Sequence, residues 1–142
     1  MSNHSLATVQ TICLLWQVGH NLGESDYVSV LLAAAIRISH SLNIHRLGPD
    51  RADPPQEEDM QKHNKDLIDR EVKKRVWWFM IRQDWLQIPF QNTYLIHASQ
   101  FNTSMPLNCH DDGRMIQNGK IVVYPADVFT GNSYSNLLHH GK

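Results

Sequence analysis

An all-α fold, built as an antiparallel helical array with long loops, is what this sequence predicts, and three observations predict it. Apolar residues recur at three-and-four spacing in three separate stretches. Short clusters of Gly, Asn and Ser separate the first two stretches. The one sheet signal is a single Asn-Gly pair near the C-terminus. With 142 residues, 42% apolar and 19% charged, the chain has the composition of a globular protein and the length of one modest core, whole or partial.

The first helix is read from Leu6, Val9, Ile12, Cys13 and Trp16, which line one face as far as about Val18. Ser2, Asn3 and Ser5 offer cap oxygens before it, and Gly19, Asn21 and Gly23 end it. Ser25 or Asp26 caps the second, whose stripe is Val28, Leu31, Leu32, Ala35, Ile38 and Leu42. Ala33, Ala34 and Ala35 favour helix and let a neighbour approach closely. Asn43 then suits a left-handed cap, with Ile44 folding back as its hydrophobic contact.

Residues 47–65 carry consecutive prolines and many charges but little large apolar surface, so they read as a mobile charged loop. Asp66 is the expected cap of a third helix with an inward stripe of Ile68, Val72, Val76, Phe79, Met80 and Gln83, ended by Pro89. Residues 90–106 read as an ordered loop laid across the helices. Asn118-Gly119, between Ile116 and Ile121, marks a small β-hairpin near residues 114–123. Ser133 then caps the start of a helix that the chain end cuts off, an incomplete C-terminal helix.

The stretch "REVKKRVWWFMIRQDW", residues 70–85, sets four basic side chains ahead of three tryptophans. At 100° per residue its apolar positions face inward while Arg70, Lys73 and Lys74 fall on the solvated side, where Lys→Ala changes little. Arg75 and Arg82 each lie three residues before an indole, Trp78 and Trp85, within reach of cation–π packing. Asp84 reads as a structural partner for a neighbouring segment rather than a catalytic base. A DNA groove-binding face is disfavoured, because Asp69 and Glu71 interrupt the basic patch and the net charge is −1.

Other chemistry is sparse. Nine histidines include no His-Glu-x-x-His, His40 and His45 are five apart, and two cysteines allow neither a disulfide framework nor a paired metal motif. The run Cys109, His110, Asp111, Asp112 reads as a polar turn. There is no nucleophile elbow, phosphate loop or dinucleotide fingerprint, so no enzyme is expected. The longest apolar run, Tyr27 to Ile36, falls short of the roughly 20 residues a membrane helix needs.

"LAAAIRISHSLNIHR", then the stretch from Arg70 to Trp85, then "MPLN" together resemble the regulatory middle homology region of fungal zinc-cluster transcription factors, the region named after xylanolytic activators. The likeness rests on Leu42 and His45 in "LNIHR", on Arg75, Trp77 and Trp78, and on Asp84 six residues past the second Trp, and it covers residues 6–110. It implies a helical regulatory region over 1–110, followed by a hairpin and the start of a helix over 111–142. It further implies a non-catalytic role in a nuclear regulator of transcription. Two departures stand out: "IPFQNTYLIH" replaces the usual Gly-Arg-Pro, and the family's six-cysteine zinc cluster is not in this sequence. Zinc and DNA contact would therefore belong to that cluster in a longer parent. This chain's expected partners are other parent segments or coregulator proteins, with no membrane, an inducer unnamed and no cofactor of its own. The alternative reading is a stand-alone helical protein-interaction module, a truncated paralogue.

Overall fold

The structure is a computed structural model that describes residues 5–50, 60–125 and 128. Among these residues it is mostly helical: α1 spans Leu6–Asn21, α2 Ser25–Ser41, α3 Met60–Leu86 and α4 Ile88–Gln91. Two two-residue strands, β1 at Ile116–Gln117 and β2 at Lys120–Ile121, complete it with two short 3-10 turns, Ile44–Arg46 and Ala98–Gln100. The all-α expectation therefore holds, with the small hairpin in its predicted place. The chain divides into two compact units, one of residues 1–49 with 73–104 and one of residues 50–72 with 105–142.

In the first unit, α1 begins where the Ser5 N–H is taken up by Thr8 Oγ1 at 3.3 Å, one half of a capping box. Leu22 and the left-handed Gly23 close it, with the Glu24 N–H donating back to the Gly19 carbonyl at 2.9 Å. The three-residue turn brings α2 back against α1, and the two helices pack together. Val9, Cys13 and Trp16 from α1 meet Val28, Leu32, Ala35 and Ile36 from α2 in one core with Trp77, Met80 and Ile81 of α3. Asn43 is left-handed at φ 56°, and Ile44 folds back to become fully buried, as its spacing predicts.

Several hydrogen bonds to backbone groups hold the second unit. Glu71 Oε1 accepts the Leu107 N–H at 2.7 Å, and His63 Nε2 lies 2.9 Å from the Gly119 carbonyl oxygen. Tyr124 N–H donates to the Asn108 carbonyl at 2.8 Å while Asn108 Nδ2 donates to the Pro125 and Val128 carbonyls at 3.0 Å each. The hairpin pairs Ile116 with Ile121 across Asn118 and Gly119, which both take positive φ as a tight two-residue turn requires. In the adjoining polar turn, Asp112 grips Arg114 at 2.6 Å, which holds the Asp112 carboxyl well below the usual carboxylate range.

Four expectations need correction, the first being the cap of α2, which is Glu24, with Ser25 and Asp26 inside the helix. Helix α3 starts at Met60, so residues 60–65 are helical and Asp66 lies within the helix rather than at its cap. Its first turns are too polar to show an apolar stripe. Pro89 does not end α3, which stops at Leu86, but sits in the first turn of α4, where no backbone donor is missed. Lys74 is not solvated: it is 1% exposed. Residues 51–59 of the expected loop, and the incomplete helix after Ser133, lie outside the described residues.

At Gly19 α1 and α2 are in close contact, since a Cβ there would run into Cγ1 of the buried Val28. Val28 is β-branched and stiff in a helix, so it cannot easily rotate away. Gly19→Ala should therefore lower stability by about 1–3 kcal/mol despite its better helix propensity. Urea unfolding checks this, and an unchanged or raised midpoint would contradict it.

Candidate functional site

The buried face of α3 in the first unit runs Lys74, Trp77, Ile81 and Asp84, spaced three, four and three, with Met80 and Gln83 flanking it. The hydrophobic stripe predicts a different face. Of its members Met80 and Gln83 are buried, but Val76 and Phe79 are only partly so and Ile68 is 44% exposed. Asp84 can lie on that face because its carboxylate has hydrogen-bond partners, and burying a polar group costs less when it is bonded.

Asp84 shows how. Its Oδ2 accepts the N–H groups of Leu95 and Ile96, each at 2.8 Å, and the side chain is 4% exposed. Burial pushes its carboxyl above the ordinary carboxylate range, while the Ile96 and Leu95 N–H groups and nearby His97 pull it back. Trp85 completes the grip, donating from Nε1 to the Ile96 carbonyl at 2.8 Å. Both backbone polar groups of Ile96 are thus held by successive residues of α3, and the Ile96 side chain enters the core.

The tryptophan pair fastens the next part of the same loop. Trp77 is fully buried, and Phe101 stands edge-on to both indoles, 5.7 Å from each ring centroid. Trp78 is half-buried and donates to the Ser104 carbonyl at 2.9 Å. Thr103 Oγ1 donates to the Ile44 carbonyl at 2.6 Å and accepts the Leu47 N–H at 3.2 Å. Asn102 N–H donates to the His45 carbonyl at 3.0 Å. Residues 95–96 and 101–104 are therefore tied to α3 and to the segment after α2.

Among the remaining motif positions, Leu42 and Arg75 are half-buried, Leu42 against the core. His45 lies edge-on to His40 at 4.7 Å, with both rings tilted against Trp77 at 6.0 and 5.7 Å. For Arg82 the cation–π expectation is corrected, since it lies over Phe79 at 5.2 Å rather than over Trp85. Glu71, read as a surface charge breaking a basic patch, is 1% exposed and caps the backbone of the "MPLN" segment at Leu107. Sequence reasoning also missed an open depression of about 330 Å³ beside Asp84, between α2, Gln87, α4 and residues 93–95. Its walls come from ordinary surface residues with no motif to mark them.

No group of three or more His, Cys, Asp and Glu side chains that could hold a metal ion occurs among the described residues. Cys13 is buried in the first unit, its thiol pushed up to about 12 by desolvation, and so is a core side chain rather than a ligand or nucleophile. With Cys109 it makes two thiols where a binuclear cluster needs six, so these residues do not fit that group. Among the described residues no helix is long and apolar enough to cross a membrane.

The chain is similar to two fungal proteins named as transcription factors. It is 33% identical over 107 residues to "Probable transcription factor lepB" of Aspergillus flavus, covering 71% of this chain and 18% of that protein. It is 28% identical over 112 residues to "Agnestins biosynthesis cluster transcription factor AgnL11" of Paecilomyces divaricatus, covering 75% of this chain and 16% of that protein. The chain thus spans less than a fifth of the length of these curated relatives. No family model matches it, and neither does any solved structure.

His40 and His45 should make the stability of the first unit depend on pH. Burial lowers both imidazole pKa values, reinforced at His40 by Arg37 and at His45 by His40 and Arg46. A histidine depressed in the folded state contributes stability above its unfolded pKa of about 6.5 and loses it as pH falls through the depressed value. The unfolding midpoint should therefore drop between about pH 7.5 and pH 5.5, and drop less in a His40→Gln, His45→Gln double variant. Equal slopes for the two proteins would contradict this.

Proposed function

We propose that this chain is a non-catalytic regulatory module of a fungal zinc-cluster transcription factor, with residues 1–110 as its helical regulatory region and residues 111–142 as a hairpin and helix start. It works in the nucleus in this reading. DNA contact would come from a zinc cluster in a longer parent, not from these residues.

The observation that carries the reading is the use made of the motif. Trp77, Trp78 and Asp84, which resemble that family's signature, are spent on packing and on holding residues 95–96 and 101–104. A carboxylate already accepting two backbone N–H groups is poorly placed for turnover. The similarity to two proteins named as transcription factors supports the same class.

The partners in this reading are other segments of the parent or a coregulator, and α1 supports that. Its 16 residues include no Asp, Glu, Lys or Arg, and it exposes Leu14, Leu15 and Val18 by 49–68%, with Leu22 at its cap exposed as well. A helix so apolar outside and so free of charge is poorly suited to lasting contact with water.

The test is to place residues 1–142 between a heterologous DNA-binding domain and an activation domain on a fungal reporter. Regulation predicts output several-fold different from the fusion without the insert, and a Trp77→Ala insert that returns it toward the parent level. Output unchanged by the wild-type insert would overturn the assignment.

A further inference from the structure

We infer that the depression beside Asp84 binds a small uncharged molecule that carries a hydroxyl, carbonyl or amide group on a flat apolar body. The inference rests on the chemistry of its walls and not on the transcriptional reading, so either can fail alone. At about 330 Å³ the space is at the small end of the range for ligand pockets.

One wall supplies hydrogen-bonding groups. Ser29 Oγ donates its single proton to the Ser25 carbonyl at 2.8 Å, leaving only its lone pairs for other groups. Gln91 Nε2 donates to that hydroxyl at 3.3 Å, and Gln87 Oε1 lies 3.4 Å from it with no proton left to receive. Two carboxamides thus converge on one serine and keep both oxygens and further N–H groups to spare. They can meet a ligand amide, carbonyl or hydroxyl with donor and acceptor alike.

The other walls supply apolar area and a rim. Val30, Leu32 and Ala33 of α2 line one side, and Tyr94 and Leu95 line the other, 40% and 48% exposed. A tyrosine rim offers a broad apolar ring with a polar tip, a common anchor for a flat ligand.

Charge decides the class. No Lys, Arg or His lines the depression, while Asp26 and Asp84 do, and His97 packs on the Tyr94 ring outside the lining, so an anion meets carboxylates within it. A cation gains little, because the Asp84 carboxylate is taken up by Leu95 and Ile96 and Asp26 is exposed to water. An uncharged ligand remains. Its contact with Tyr94 and Leu95 would bear on the backbone that Asp84 pins.

Three matched probes test this by NMR titration of the 15N-labelled full chain: benzamide, benzoate and benzylamine. Benzamide should shift the side-chain amides of Gln87 and Gln91 and the backbone amide of Leu95 in a saturable way, and the two ions should leave them at least tenfold less affected. Ala33→Trp, which fills the depression, and Gln91→Ala should each abolish the benzamide response while the indole signals stay native. Gln91 is exposed, so its variant decides the matter if Ala33→Trp fails to fold. No response to benzamide, an equal or larger response to either ion, or a response that survives Gln91→Ala would overturn the proposal.

Discussion

A carboxylate withdrawn from water must be answered by donors, and in the first unit that requirement organises everything around it. Asp84 is 4% exposed and is answered by two backbone N–H groups of one loop. Leaving such a group unpaired would cost several kcal/mol, whereas charge-assisted bonds are roughly twice as strong as neutral ones. The loop is thereby drawn to the helix at one defined register. Trp85 adds the reciprocal bond to the Ile96 carbonyl, so Ile96 cannot leave the core without breaking bonds on both sides of its peptide.

From that anchor the loop runs on under aromatic and hydroxyl control. Phe101 wedges edge-on against two adjacent indoles, and Thr103 bridges to the segment after α2 through one hydroxyl used as donor and acceptor. Each neutral bond contributes only about 0.5–1.5 kcal/mol. Their shared effect is to turn an irregular segment into a fixed wall. The depression beside Asp84 is bounded on the loop side by Thr93, Tyr94 and Leu95, just before the residues so fixed.

Much of the fold was legible because much of it follows hydrophobic period. The stripes of α1 and α2, the left-handed Asn43 followed by buried Ile44, and the Asn118-Gly119 hairpin are all written in local pattern. The third helix was legible only in existence. Its buried face carries Lys74, Gln83 and Asp84, and no count of apolar residues points a helix toward polar side chains. Its start at Met60 was hidden for the same reason, since residues 61–65 are all polar. Asp84 was readable as a partner for another segment, but its donors sit eleven and twelve residues on in a loop with no signal of its own. The depression had no signal at all: Ser29, Gln87 and Gln91 look like any solvated helix surface until folding brings them together.

A regulatory reading and a ligand-binding depression meet in the same few residues, because the strap that Asp84 holds is also the rim of the space. The central claim is that this carboxylate, rather than loop packing alone, fixes the strap. Amide hydrogen exchange at Leu95 and Ile96 tests it most directly, in the native chain and in Asp84→Ala. The account predicts slow exchange at both amides in the native chain, and in the variant a loss of protection confined to them, with the amides of α1 and α2 unchanged. Fast exchange at Leu95 and Ile96 in the native chain, or protection there that survives the loss of the carboxylate, would contradict it.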